Sequence, residues 1–158
     1  LRMSLRERVT DAAYRTVYRT GHRVLREWWR VREPRTSGAL AAIWYRGEVL
    51  LVRNSYRTDH TLPGGFVRPG ERPERAVVRE LREETSIVLD PARFQHAYRG
   101  THFYEHRVDT VDIYEAELET LPPVRIDGRE VIWAGFRTPA DARAMRIVPH
   151  LADYLAGR

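Results

Sequence analysis

Residues 4–32 contain no proline, and Leu5, Val9, Ala12, Ala13, Val17, Val24, Leu25 and Trp28 recur close to helical spacing. The pattern predicts one long amphipathic helix, weakened at Gly21. Pro34 followed by Thr36-Ser37-Gly38 predicts its end and the start of a linker. The period then changes. Residues 39–45 and 48–53 are apolar, β-prone runs joined at Arg46-Gly47, which predicts a hairpin. Leu62-Pro63-Gly64-Gly65-Phe66 interrupts the pattern. A second helix is expected over about residues 73–85, with Pro73 suited to its first turn and Val77, Leu81 and Val88 as its buried stripe. Strands are expected at 94–101, 108–118 and 131–136, the middle one alternating Val111, Ile113 and Ala116 only imperfectly. Short helices are expected after Thr138-Pro139 and over 149–155. Strands mixed with helices, without a repeat period, predict a single α/β or α+β domain.

Length and composition narrow the chemistry. A chain of 158 residues fits one core, and 42% hydrophobic with 31% charged residues is a globular composition. No apolar run approaches the roughly 20 residues of a spanning helix, and the arginine-studded first segment lacks the apolar stretch of a secretory signal. A cytoplasmic location is the expectation. The absence of cysteine excludes disulfides, thiolate catalysis and Cys-ligated metals. All 27 basic residues are arginine, which excludes a Schiff-base or P-loop lysine. The net charge of +5 is uneven: residues 1–36 carry ten Arg against Glu7, Asp11, Glu27 and Glu33, so residues 37–158 sum to −1. The chain therefore divides into a basic helix and linker over 1–36 and a neutral domain over 37–158.

The neutral domain holds a concentrated group of acids. On a helix, Glu80, Glu83 and Glu84 fall within one sector of roughly 100°. Like charges at that spacing oppose one another, and negative charge in a last turn opposes the helix dipole. A bound cation reverses both costs. With Val77 and Leu81 buried, Glu84 and Glu80 flank the core edge and Glu83 points further out, a placement suited to hard, oxygen-seeking ions such as Mg2+ or Mn2+. For an isolated Arg/Glu-rich helix, pairs such as Arg79–Glu83 offer the alternative of an ordinary salt-bridged surface.

The flanking residues decide between these. From Gly65, five residues lead to Glu71 and seven more to Arg79-Glu80-Leu81, followed by Arg82, Glu83-Glu84, Thr85, Ser86 and Ile87. This resembles the Nudix box, G-x5-E-x7-R-E-U-x-E-E-x-G-U, with U a bulky aliphatic residue; eight fixed positions agree and Ser86 replaces the last glycine. The resemblance implies a Nudix-type α/β/α sandwich with a mixed sheet, extended here by an N-terminal amphipathic helix. It also implies a metal-dependent pyrophosphohydrolase acting on a nucleoside diphosphate linked to another group. Carried over by position, Glu80 and Glu84 become metal ligands, Glu83 a ligand in some members, and Gly64 and Gly65 the loop that approaches metal and phosphates. Arg79 pairs with Glu71 and orients the helix. Glu130 resembles a downstream acid used by some members as ligand or base. The general base is thus Glu80 or Glu83, with Glu130 as rival. A left-handed residue suits the box glycine, so Ser86 is expected to cost about 1 kcal/mol without removing a ligand.

The substrate is less sharply indicated. Members preferring ADP-ribose often carry a proline some fifteen residues past the box, where this chain has Gly100-Thr101-His102. Diadenosine-polyphosphate hydrolases often carry a tyrosine slightly further on, where Tyr104 falls. Arg53, Arg57 and Arg68 surround the glycine loop as candidate phosphate contacts, and Phe66, Phe103 and Tyr104 are candidates to stack on a base. His60, His96, His102 and His106 lack zinc-ligand spacing. A neutral domain favours a small nucleotide over RNA, whose 5′-end pyrophosphohydrolysis is the enzymatic alternative. A ligand-sensing domain without turnover is the non-enzymatic one, and retention of every box acid argues against it. The stripe of the first helix is expected to pack on the domain or on a second copy in a homodimer. Peripheral membrane contact through residues 4–32, suggested by Trp28-Trp29 between arginines, is the less favoured reading.

Overall fold

The computed structural model describes residues 5–158; the expected helix start at Ser4 lies outside them. Helix α1 (Leu5–Arg32) is followed by strands β1 (Arg35–Tyr45), β2 (Glu48–Asn54) and β3 (Gly64–Phe66), then helix α2 (Pro73–Thr85). Strands β4 (Gln95–Tyr104), β5 (Arg107–Glu117) and β6 (Val131–Arg137) precede helices α3 (Pro139–Ala144) and α4 (Pro149–Ala156).

The strands form one mixed sheet ordered β4-β5-β1-β2-β6, with β3 paired to β1. β1 runs parallel to β5 over ten register pairs and antiparallel to β2 and β3. The β1–β2 hairpin turns at Arg46 and Gly47, both at positive φ (50° and 78°), as a two-residue primed turn requires. Side chains alternate to two cores. On one face Leu40, Ala42, Leu51, Val111 and Ile113 pack against Leu151 and Leu155 of α4. On the other, Ala41, Ile43, Leu50 and Tyr114 pack against Val77 and Leu81 of α2. This is the expected α/β/α sandwich. It also explains the weak alternation of β5, because a strand covered on both sides has little reason to alternate apolar with polar.

Three expectations need correction. Thr36-Ser37-Gly38 is not linker but part of the first stretch of strand pairing in β1, held against Asp109, Thr110 and Val111 of β5 and by Val67 N–H donating to the Ser37 carbonyl. Val88 is 70% exposed, because α2 stops at Thr85 and the chain turns; Ile87 is buried instead. The third concerns α1. It packs on the body, but its apolar stripe does not: Val9, Val17, Val24 and Trp28 are all exposed. The docked face is Asp11, Arg15, Tyr18, His22 and Trp29, spaced four, three, four and seven apart, so they share one side of the helix. Asp11 pairs with Arg129 at 2.8 Å, Arg15 donates to the Gly128 carbonyl at 2.7 Å, and Arg19 donates to the Ser55 carbonyl at 3.0 Å.

Candidate active site

The site is assembled on α2 and the β3 loop. Pro73 sits in the first turn of α2, and Ala76, Val77 and Leu81 are buried against the sheet, which turns the box acids toward the β3 loop. Gly64 has a φ of 150°, and a Cβ there would run into the Ala39 carbonyl oxygen and the Leu40 Cα. A Cβ on Gly65 would lie 2.8 Å from the Glu80 carboxyl carbon. Gly64 therefore lets the backbone press against β1, and Gly65 lets it press against α2. In return the Gly64 N–H donates to Glu84 Oε2 at 2.9 Å.

Glu71 and Arg79 form the expected brace, with Arg79 Nη2 2.8 Å from Glu71 Oε2 and Nε donating to Oε1 at 2.9 Å. Arg79 also pairs with Glu80 and lies 3.8 Å from Glu83. The hydrogen bonds from Arg79, with a backbone bond from Arg68, hold the Glu71 carboxyl down at about 2. Ser86 does adopt the left-handed conformation, at φ 63°, with its N–H on the Arg82 carbonyl and its Oγ on that of Arg125.

These groups open onto a cavity of about 390 Å3 between α2, β1, β5 and the loops after β2 and before β6. Its wall includes Gly65, Phe66, Arg57, Arg68, Tyr104, Glu80, Glu83, Glu84 and Glu130. Arg53 is not in that wall; it lies on β2 in register with Trp133 of β6. Burial, reinforced by the charges of Glu80 and Glu130, pushes Glu84 up to about 8 despite the Gly64 bond. Glu130 is likewise raised, by burial and then by Glu80 and Asp127, while Tyr56 donates to it at 3.4 Å. Carboxylates gathered in this way, with Glu84 and Glu130 held up by burial and by neighbouring acids, fit a hard divalent cation. The arrangement is not a closed cage: among the described residues no three Asp, Glu or His side chains converge as a ready-made metal site. With Arg79 pairing with Glu80, two of the acids are committed to this arginine.

The wall also contains groups that sequence reasoning missed: Asn54, Tyr56, Arg107, Asp109 and His150. Arg107 is 3% exposed, with its guanidinium 4.3 Å from the Trp29 ring centre and 5.5 Å from that of Phe66. It pairs with Asp109 and Glu105, each at 3.1 Å, while its Nε has no hydrogen-bond partner. His150 is equally buried, with Nε2 3.5 Å from Asp109 Oδ2 and Nδ1 without a hydrogen-bond partner. The available signal was Arg107, Asp109 and Asp112 interspersed with Val108, Val111 and Ile113, since buried charges need partners. Glu105, held down at about 2, ties the wall to α1. Burial alone would raise it, but His22 at 3.1 Å and Arg57 at 2.9 Å outweigh that. Tyr56 continues the same link, stacking on His22 at 4.7 Å and Tyr18 at 6.4 Å.

Comparison with known proteins adds three findings. The family profile described as "NUDIX domain" matches residues 34–156. The chain is 46% identical over 44 residues to an ADP-ribose pyrophosphatase of Methanocaldococcus jannaschii, covering 26% of each protein. It is 34% identical over 64 residues to the NAD-capped RNA hydrolase NudC of Stutzerimonas stutzeri, covering 39% of this chain and 23% of that one. The matched stretch thus spans about a quarter of these curated relatives. Among solved structures, a MutT NUDIX hydrolase from Burkholderia pseudomallei superposes with a TM-score of 0.68 at 24% identity, over 77% of this chain and 96% of the other. That likeness concerns the fold.

Proposed function

The chain belongs to the Nudix family, on the match over residues 34–156, and from that premise we propose that it is a divalent-metal-dependent hydrolase of a small nucleoside diphosphate derivative. One observation carries the reading: Glu80, Glu83 and Glu84 of α2 face Glu130 across a single cavity that also holds Arg57, Arg68 and Arg107. We read residues 37–158 as the catalytic unit, with its first strand beginning slightly earlier at Arg35, and helix α1 as an addition that braces it.

Glu80 and Glu84, with Glu83 further out and the Gly65 backbone beside them, are the groups to hold Mg2+ or Mn2+. When bound, such an ion neutralises diphosphate oxygens and lowers the pKa of water. The protein's own residues supply the rest. Arg79, locked to Glu71, orients the carboxylates. Arg68 at the cavity mouth is placed to meet phosphate oxygens, whereas Arg57 is engaged with Glu105 and offers its charge at one remove. For the proton acceptor, Glu130 gains support over Glu80 and Glu83: Arg79 pairs with both of those, while the Glu130 carboxylate accepts only the long Tyr56 bond among the described residues. Beyond the acids, the unpartnered Arg107 Nε and His150 Nδ1, beside Asp109 and the apolar Val111 and Val148, offer donors to the group carried by the diphosphate.

ADP-ribose is the first substrate to test, because the Methanocaldococcus jannaschii relative is named for it. The decisive experiment offers ADP-ribose, dinucleotides, nucleoside triphosphates and NAD-capped RNA with Mg2+ or Mn2+ and identifies the products by chromatography. AMP and ribose 5-phosphate from ADP-ribose are expected. Turnover of capped RNA alone would transfer the reading to RNA ends, and no turnover of any substrate would leave a binding domain.

A further inference from the structure

The outward face of α1 has no counterpart in the catalytic reading. Val9, Val17, Val24, Trp28 and Val31 are 62%, 68%, 66%, 53% and 80% exposed. With Ala13 they follow at intervals of four, four, seven, four and three, so they form one stripe along about 33 Å of helix. At about 100° per residue the stripe is centred roughly opposite the docked set of Asp11, Arg15, Tyr18, His22 and Trp29. The body grips one side of α1 and leaves the apolar side facing away.

Charge indicates what covers it. Helix α1 carries eight arginines against Glu7, Asp11 and Glu27. Asp11 is engaged with Arg129 of the body, and Arg6, Arg8, Arg23, Arg26 and Arg30 are exposed around the stripe. Pairing this face with a second copy brings two arginine-rich helices together, which like-charge repulsion opposes. Nucleic acid satisfies the arginines but offers nothing to the valines. An anionic bilayer satisfies both, with phosphates for guanidiniums and an acyl boundary for a shallow row of Val and Trp. Spanning is not at issue, since no helix among the described residues is long and apolar enough to cross a membrane.

We propose that α1 lies flat on an anionic phospholipid surface through its Val9–Val31 stripe, while its opposite face holds the catalytic body. The test is co-sedimentation of the full chain with phosphatidylglycerol-containing vesicles and with pure phosphatidylcholine vesicles, at low and high salt. Sedimentation with the anionic vesicles alone, released by salt, is expected. The double variant Val17→Glu/Val24→Glu is expected to bind at least ~tenfold more weakly with unchanged circular dichroism and melting temperature, since both side chains are exposed. Arg23→Gln/Arg30→Gln is expected to weaken binding ~severalfold by the charge term. Absence of binding to anionic vesicles at low salt overturns the proposal, as does undiminished binding of the glutamate variant. So does a vesicle-free chain that light scattering finds dimeric and that the glutamate variant renders monomeric, because the stripe then belongs to a second copy.

Discussion

The two long helices are both amphipathic, yet they meet the sheet in opposite ways. α2 buries Ala76, Val77 and Leu81 and turns its acids to the cavity. α1 exposes its valines and buries a mixed face, in which Asp11 and Trp29 are the buried residues. A hydrophobic stripe therefore reveals that a helix has two sides, and the receiving surface selects which one docks. α2 meets a smooth apolar sheet face, where burial at about 25 cal/mol per Å2 favours aliphatic contact. α1 meets a rim of polar loops carrying Tyr56, Glu105, Arg107 and Gly128. There, charge-assisted bonds and the Trp29–Arg107 contact are what the surface offers.

The contrast can be broken in order of expected effect. Glu84→Gln should lower Mg2+-dependent turnover by about a hundredfold or more, because it removes a carboxylate at the centre of the acid group while keeping its shape. Its fold should persist, and pH should expose the change. A carboxyl held up at about 8 makes the folded state take up a proton between the ordinary carboxylate value and that pH, so its contribution to stability falls as pH rises through the window. The variant should lose that slope in urea titrations across pH, and near-normal turnover would remove the catalytic role of α2.

Next come the adjacent tryptophans. Trp29→Ala should destabilise by roughly 3 kcal/mol, while Trp28→Ala, on the exposed side, should stay within about 0.5 kcal/mol. Urea unfolding compares them directly, and equal effects would contradict the docked orientation of α1.

Glu105→Gln should cost about 2 to 3 kcal/mol, by leaving Arg57, Arg107 and His22 without their shared carboxylate. With a folded value of about 2, below the ordinary 4.5, its stabilisation is complete above about 4.5 and is lost as pH falls through about 2. Wild type and variant should therefore converge in acid, and a constant difference down to the lowest pH would locate the effect elsewhere. The smallest change is Ser86→Gly, which relieves a left-handed serine but forfeits its bond to Arg125; a shift below ~1 kcal/mol is expected by the same denaturation assay. A larger loss would mean that the Arg125 bond closes the helix.

Legibility in the sequence followed the range of the interaction. The hairpin at Arg46-Gly47, helix α2 and the strand runs could be read directly, because turn conformation, proline placement and periodicity act over a few residues. The Glu71–Arg79 brace came with the box. Thr36-Ser37-Gly38 could not be read as strand, since its partner lies some seventy residues away in β5. Arg53 and Arg57 looked alike ahead of the glycine loop, and only the fold brought Arg57 into the cavity wall and left Arg53 out of it. Arg107, Asp109 and His150 come from β5 and α4 and bear no local mark of their meeting.

Residue order alone dictates the spacing of the carboxylates on α2, the glycines that let the loop approach them, and the existence of a basic amphipathic helix. These depend on backbone geometry within one turn or one helix. Only folding brings Glu130 into one cavity with the acids of α2, adds Arg107 and His150 to its lining, and docks α1 by its polar side. Those outcomes depend on which surfaces are left to pair after the sheet closes, and burial and charge pairing across long chain separations have no local signature.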